Sequence, residues 1–307
     1  MDNEYEVISY NSNSFNIFLV NMLYRTPHFH MDYEVLLCLE GELTVNTSEE
    51  ICRISGHDIA VLNPMQVHEL AAEKPALALT CQIPPSLLTG ICPEVGSIAF
   101  SKLCLREDDQ PDRIRRIALT LTDVMRMRLG TDYFAPLLCV SDIFRIFHEI
   151  LQLLPWNRLT EKELALHRER GWRMQRIVKY IDEHSDRKLS LKEIAEAENL
   201  DLYYMSHLFK KSFGITFQEY VTKVRCEKAR HRLLLTKDSL LDICIGCGFS
   251  DPRYFNRDFE RQYGLTPKEY RLHFNEERLS MQQKNLLSTQ EFLSDEAARV
   301  VLDRIQI

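Results

Sequence analysis

The sequence lacks any apolar run approaching the roughly 18 residues that a membrane-spanning helix needs. It also lacks a basic-plus-apolar leader, because Met1 leads straight into Asp2, Asn3 and Glu4. A cytoplasmic protein without membrane contact is expected. One C-x-x-C is present, Cys244 to Cys247, but no second pair exists to complete a four-ligand zinc site with it. The nine cysteines are an odd number scattered through apolar stretches, a pattern that speaks against a disulfide framework and predicts reduced, mostly buried thiols. An overall excess of positive charge is missing too, since the net charge is −7.

That net charge conceals an asymmetry. Between Trp172 and Phe274 there are 19 Lys and Arg against 15 Asp and Glu, net +4; the remainder carries 19 and 30, net −11. An acidic body joined to a basic segment suggests an anionic partner for that segment, although four charges alone would be weak evidence. At 307 residues, 45% hydrophobic and 27% charged, the chain has the composition of a soluble globular protein of roughly two domains.

Residues 1–108 hold short apolar and alternating runs: "FNIFLVNML", "EVLLCLEGELTVNT", "DIAVLNP" and "ALALTCQIP". Gly41, Gly56, Pro64, Pro84 and Pro85 punctuate them, and strands at this spacing predict a β-barrel or sandwich. Within 109–171 the period becomes helical. Ile114, Ile117, Leu121, Val124 and Met125 recur at three- and four-residue steps, and so do Leu138, Ile143, Ile146 and Ile150, with Gly130-Thr131 between them. This pattern predicts a helical hairpin, its apolar faces suited to a dimer seam or to packing on the barrel. Residues 156–171 are polar and linker-like.

The segment 172–274 predicts helices throughout and repeats internally. Ser190 to Glu193 and Ser239 to Asp242 both have the form of a capping box. Asn199-Leu200-Asp201 answers to Gly248-Phe249-Ser250, and after one added residue Phe209, Phe213 and Gly214 answer to Phe259, Tyr263 and Gly264. Thr216 to Glu219 and Thr266 to Glu269 are a further pair of capping boxes. Each copy is a short helix, a tight turn, a second helix ending at glycine, and a new helix start. That is a helix-turn-helix, present twice.

"LSLKEIAEAENLDLYYMSHLFKKSFGITFQEYVTKVRCEKARHRLLL" together with "ICIGCGFSDPRYFNRDFERQYGLTPKEYR" resembles the DNA-binding domain of the AraC/XylS family of transcription regulators. The likeness covers about 100 residues. It departs from the family pattern at Cys244 and Cys247, where small or aliphatic residues are usual, and at Asn199, where many members carry glycine. In a helix-turn-helix the outward positions near the start of the second helix reach base edges, and flanking cations meet phosphates. The first such helix begins after Asp201 as cap, with Met205, Leu208 and Phe209 inward. Tyr203, Ser206 and His207 are its candidate base contacts. In the second, with Ser250 as cap, Tyr254, Phe255 and Phe259 pack inward while Arg253, Asn256 and Arg257 point out. Arg pairs with guanine and Asn with adenine in bidentate fashion, so the second copy is the better equipped reader. Lys210, Lys211 and Arg261 are candidate phosphate contacts.

"HFHMDYEVLLCLEG" and "GHDIAVLNPMQVHE" resemble the two motifs of the cupin β-barrel. His28, His30, Glu34 and His68 are three imidazoles and a carboxylate, a competent set for a divalent metal. Pro64 to His68 is one residue tighter than in metal cupins, and Met22 stands where those usually have glycine. The resemblance to the regulator family favours a ligand-sensing pocket over a metal-dependent enzyme, with no cofactor required. Cys244 and Cys247 fall in the first helix of the second helix-turn-helix, where buried thiols that pack a helix are expected.

The sequence therefore predicts a multidomain chain: an N-terminal cupin-like β-barrel, a helical hairpin linker that dimerises, an all-α double helix-turn-helix, and a tail over 275–307 that ends in a short helix. The implied function is a one-component transcription regulator, not an enzyme. Its expected partners are double-stranded DNA, a sugar or related metabolite bound in the barrel, and a second copy of itself.

Overall fold

The computed structural model describes residues 15–274, 290–305 and 307. The first six strands are β1 (Asn16–His28), β2 (Tyr33–Glu40), β3 (Glu42–Thr47), β4 (Ile51–Ser55), β5 (Ile59–Leu62) and β6 (His68–Ile83). They pair antiparallel throughout. The long β6 binds β1 along one edge, and β2 and β3 along successive parts of the other. A short helix α1 (Pro85–Thr89) and the strands β7 (Ile98–Phe100) and β8 (Cys104–Leu105) come next, β8 extending the sheet beside β5. The result is the expected barrel, nearly closed. The short alternating stretch "ICRIS" forms β4, a strand that the longer apolar runs did not include.

Alternation on β2 divides its side chains between two apolar layers. Tyr33, Val35, Leu37 and Leu39 face out, onto a helical hairpin made by α2 (Pro111–Leu129) and α3 (Ala135–Leu153). Leu36 and Cys38 face the barrel interior with Val20, Val45, Ile54 and Ala78. Ile114, Ile117, Leu121, Ile143, Ile146 and Ile150 are all buried in the outer layer, so packing on the barrel accounts for their helical period. Leu138 departs from that pattern: with Tyr133, Phe134 and Leu137 it is exposed at the turn of the hairpin.

The polar stretch after the hairpin is not a linker. β9 (Trp156–Arg158) pairs with β7, and Glu161 then opens a 24-residue helix α4 (Glu161–His184). Thr160 and Glu163 form a full capping box at its start, and Met174, Ile177 and Ile181 are buried on its later turns. Helices α5 (Leu191–Ala197), α6 (Leu202–Phe213), α7 (Phe217–Leu235), α8 (Leu240–Gly246), α9 (Pro252–Tyr263) and α10 (Pro267–Phe274) complete the double helix-turn-helix.

Each copy has its own apolar core, and α7 enters both. Phe217, Tyr220 and Val221 join the first with Met205, Phe209 and Phe213; Cys226, Ala229 and Leu233 join the second with Phe255 and Phe259. Cys244 and Cys247 are free, buried thiols in that second core, with pKa values raised by burial.

Two details correct the expectations. Cys52 on β4 and Cys104 on β8 are joined as a disulfide, 52 residues apart in sequence, whereas the other seven cysteines are free. The second reader helix is capped by Asp251, whose carboxylate accepts from the Arg253 N–H, and not by Ser250. The residue added in the turn moves the start on by one, which places Pro252 at the first helical position.

The last described segment returns to the barrel. β10 (Gln290–Phe292) pairs antiparallel with β1, and helix α11 (Asp295–Arg304) buries Ala298 and Leu302 in the layer that holds α2.

The tight turns confirm the repeat at the level of the backbone. Gly248 has φ 83° and Asn199, its counterpart, φ 54°, so the first copy places asparagine in a left-handed position that glycine fills in the second. A Cβ on Gly248 would lie 2.2 Å from the Ser185 carbonyl oxygen. Gly248→Ala is expected to lower stability by about 2 kcal/mol or more, and Asn199→Gly to change it by less than about 1 kcal/mol, in urea unfolding monitored by circular dichroism.

Candidate nucleic-acid interface and sensor cluster

The two reader helices present similar faces. On α6, Met205, Leu208 and Phe209 are buried while Tyr203, Ser206, His207, Lys210 and Lys211 are exposed. On α9, Phe255 and Phe259 are buried while Arg253, Asn256, Arg257 and Arg261 are exposed. Tyr254 is the one misplaced residue: it is half exposed and carries the Arg257 guanidinium 5.1 Å above its ring.

The cations on α9 already have partners. Arg253 donates to Asp251 at 2.9 Å and Arg257 to Asp258 at 2.9 Å, while Arg261 lies 3.7 Å from Asp258. The Arg253–Asp251 pair is largely exposed and of little net worth, whereas Arg257 and Arg261 reach a buried carboxylate, Asp258, that solvent screens less. On α6, Tyr203 and His207 lie edge to face, 4.6 Å apart.

The second site lies at one end of the barrel interior. His30 Nε2 is 2.8 Å and His68 Nε2 3.8 Å from the two carboxylate oxygens of Glu34. Gln82, its register partner on the adjacent strand β6, donates to Glu34 at 2.9 Å. Burial alone would raise the Glu34 pKa, but His30, His68 and Gln82 outweigh it and bring it to about 2. Burial lowers His68 to about 4 against the pull of Glu34. His30, Glu34 and His68 thus come together as predicted. His28 stands beside them, its ring 4.2 Å from that of His68, but does not share their focus. Burial, then the charge of His68, pushes its pKa well down.

Comparison with known proteins finds a match for each half of the chain. Residues 21–165 match the family profile of an AraC-like ligand binding domain, and residues 194–273 that of a helix-turn-helix domain. The two matched segments together resemble the domain pair of an AraC-type regulator. It is 26% identical over 127 residues to the HTH-type transcriptional activator RhaS of Mannheimia succiniciproducens, covering 41% of this chain and 46% of that protein. It is 38% identical over 104 residues to the regulatory protein PocR of Salmonella typhimurium, covering 34% of each. Among solved structures, the C-terminal domain of AraT from Geobacillus stearothermophilus matches 33% of this chain and 84% of that one at 32% identity, with a TM-score of 0.32. The matches span about a third to a half of the length of the curated relatives.

The barrel and the helix-turn-helix units touch through a set of residues the sequence did not single out. Lys223 on α7 donates to Glu69 at 2.5 Å and to the Tyr24 hydroxyl at 2.7 Å, and Tyr24 itself donates to Glu69 at 2.6 Å. Burial would raise Glu69, but Lys223 and the two further donors Tyr24 and Asn46 hold it below the usual carboxylate range. Tyr24 also meets Tyr263, the last residue of α9, edge on. Phe29 and Val67 pack on the first core, and the Met65 side chain fills a notch on α4 that only the missing side chain of Gly171 leaves open. No local pattern announces the contacts across the two units, because each of those pairs residues more than 100 positions apart. Lys223→Met strands the Glu69 carboxylate in a mostly enclosed place, and is expected to lower overall stability by about 1–3 kcal/mol by calorimetry.

Proposed function

We propose that the chain is a sequence-specific DNA-binding transcription regulator whose DNA affinity is set by a small effector bound in the barrel. The observation that carries this reading is the pair of reader helices, α6 and α9, mounted on one connecting helix with matching exposed faces. Nineteen residues of α7 span about 28 Å, close to the roughly 34 Å between successive major-groove faces. Arg253, Asn256 and Arg257 on α9, and Tyr203, Ser206 and His207 on α6, are assigned to base edges. Lys210, Lys211 and Arg261 are assigned to phosphates.

The effector seat is the cluster of His30, Glu34 and His68, with His28 beside it. A sugar or related metabolite is the class that the resemblance implies. The rival reading, a metal-dependent enzyme with a fused helical domain, is disfavoured because the relatives are named as regulators and activators. Two-fold pairing of half-sites favours a homodimer. Its seam is assigned to the exposed Tyr133, Phe134, Leu137 and Leu138 at the turn of the hairpin. No helix among the described residues is long and apolar enough to cross a membrane, which accords with a cytoplasmic regulator.

Duplexes selected from a random-sequence pool test the assignment. Arg257→Ala is expected to weaken binding by about 1–3 kcal/mol and to relax the preference at one base pair. Lys211→Ala is expected to weaken binding to all sequences alike and to lower the slope of log affinity against log salt by about 1. Retention of full affinity and selectivity by Arg257→Ala at fixed salt contradicts the base-contact assignment.

A further inference from the structure

One side of the barrel closes without a strand ladder. Among the described residues β4 pairs with β3 alone and β8 with β5 alone, so one edge of each strand is left over. These two edges meet through side chains. Cys52 is bonded to Cys104, the Arg106 guanidinium donates to the Arg53 carbonyl, and the Leu103 N–H donates to the Glu50 carboxylate at 3.2 Å. The Cα atoms of the two cysteines are 6.6 Å apart. That is within reach of a disulfide but beyond the roughly 4.5–5.5 Å of residues opposed in a ladder. The disulfide stands where backbone hydrogen bonds would otherwise hold the seam.

The surroundings of the bond suit cleavage by a thiolate. Cys52 is 3% exposed, whereas Cys104 is only partly buried and offers the sulfur that an incoming thiolate reaches. Attack at that sulfur expels Cys52 as a thiolate. The Arg106 guanidinium lies 3.9 Å from the Cys52 sulfur and is held there by Asp58 at 2.8 Å. A cation in that place stabilises the departing negative charge, and a better leaving thiolate speeds exchange. A second external thiol then attacks the mixed disulfide on Cys104. The balance is two external thiols oxidised to one external disulfide, while Cys52 and Cys104 are reduced to two thiols.

The seam has the barrel interior behind it. Cys52 and Leu103 belong to that apolar layer with Leu36, Cys38 and Ile54, and Cys104 packs against it. Parting β4 from β8 therefore opens the interior from the side. The same segment is the footing of the first helix of the C-terminal half. β7 ends at Phe100, just before the seam, and pairs with β9, which leads into α4. The Ser101 N–H donates to the Pro155 carbonyl at 2.9 Å and the Leu159 N–H to that of Ser97 at 2.7 Å, so 97–101 and 155–159 are tied together.

We propose that Cys52–Cys104 is a reversible latch. Low-molecular-weight thiols cleave it, which opens the β4–β8 seam and loosens the footing of α4, and the corresponding disulfides close it again. The inference goes beyond the regulator reading and does not rest on it.

The full chain is equilibrated without oxygen in mixtures of reduced and oxidised glutathione, and each cysteine is read by alkylation and peptide mass spectrometry. The Cys52–Cys104 bond is expected to pass from mostly formed to mostly cleaved as the mixture becomes more reducing, and to re-form on reversal. A bond that persists in a large excess of reduced glutathione, or never forms in oxidised glutathione, overturns the latch. So does a global loss of circular dichroism on cleavage, which makes the bond a structural staple. Arg106→Gln is expected to slow cleavage at least about 10-fold, and Arg106→Lys less than about 3-fold. Equal or faster cleavage in Arg106→Gln overturns the role given to that cation. Hydrogen exchange of the wild-type protein needs no variant. Amides in 50–54, 101–107 and 156–164 are expected to exchange at least about fivefold faster after cleavage, and unchanged or slower exchange there overturns the opening. The double variant Cys52→Ser/Cys104→Ser is expected to match the cleaved protein in every mixture. A glutathione response that survives in it overturns the assignment to this pair.

Discussion

The two helix-turn-helix units share one helix, and the C-terminal half depends on that sharing. Phe217, Tyr220 and Val221 at one end of α7 complete the first core, and Cys226, Ala229 and Leu233 at the other complete the second. Neither unit can turn relative to the other without opening one of those cores. Burying Phe209 and Phe259 fully, each worth roughly 1.5–3 kcal/mol, therefore also fixes the spacing of the two exposed faces. Arg230, fully buried on the same helix, adds direction to that packing. It pairs with Glu227 at 2.5 Å, and Glu227 also accepts from the Tyr263 hydroxyl at the end of α9.

The barrel meets this rigid body on the same helix. Lys223 lies in the second turn of α7, and its contact with Glu69 and Tyr24 is where the state of the barrel bears on the spacing element itself. The second path, Phe29, Met65 and Val67 against α4 and the first core, reaches the unit that α7 does not touch through Lys223. A ligand shifts such an equilibrium only by the difference in its affinity for two arrangements. The histidine–carboxylate cluster, one residue away from both contacts, is placed to supply that difference. The returning β10 and α11 add a second connection from the C-terminal end to the barrel edge.

The repeat was legible because its signals are local and doubled. Serine and threonine caps, the turn positions Asn199 and Gly248, and the phenylalanine spacing each occur twice at nearly one offset, so each copy checks the other. The inward and outward faces of α6 were readable residue by residue for the same reason. On α9 the added turn residue misled, moving the cap from Ser250 to Asp251 and Tyr254 into half exposure. The first turns of α4 read as a linker from their polarity alone, although the Thr160–Glu163 capping box marks a helix start there. His28 illustrates a different limit. Alternation places His28 and His30 on one face, but β1 is irregular between Arg25 and His28 and ends there, so the two rings diverge. The Cys52–Cys104 pair and the Lys223 contacts depend on chain reversals that leave no periodic trace.

The central claim, that α7 mounts two readers on one face of a DNA duplex, is tested most directly by hydroxyl-radical footprinting of a selected duplex. The account predicts two protected patches per bound chain, centred about 10 base pairs apart on one side of the helix, with the patch nearer α9 lost in Arg257→Ala. A single patch, or two whose separation places them on opposite faces of the duplex, would contradict it.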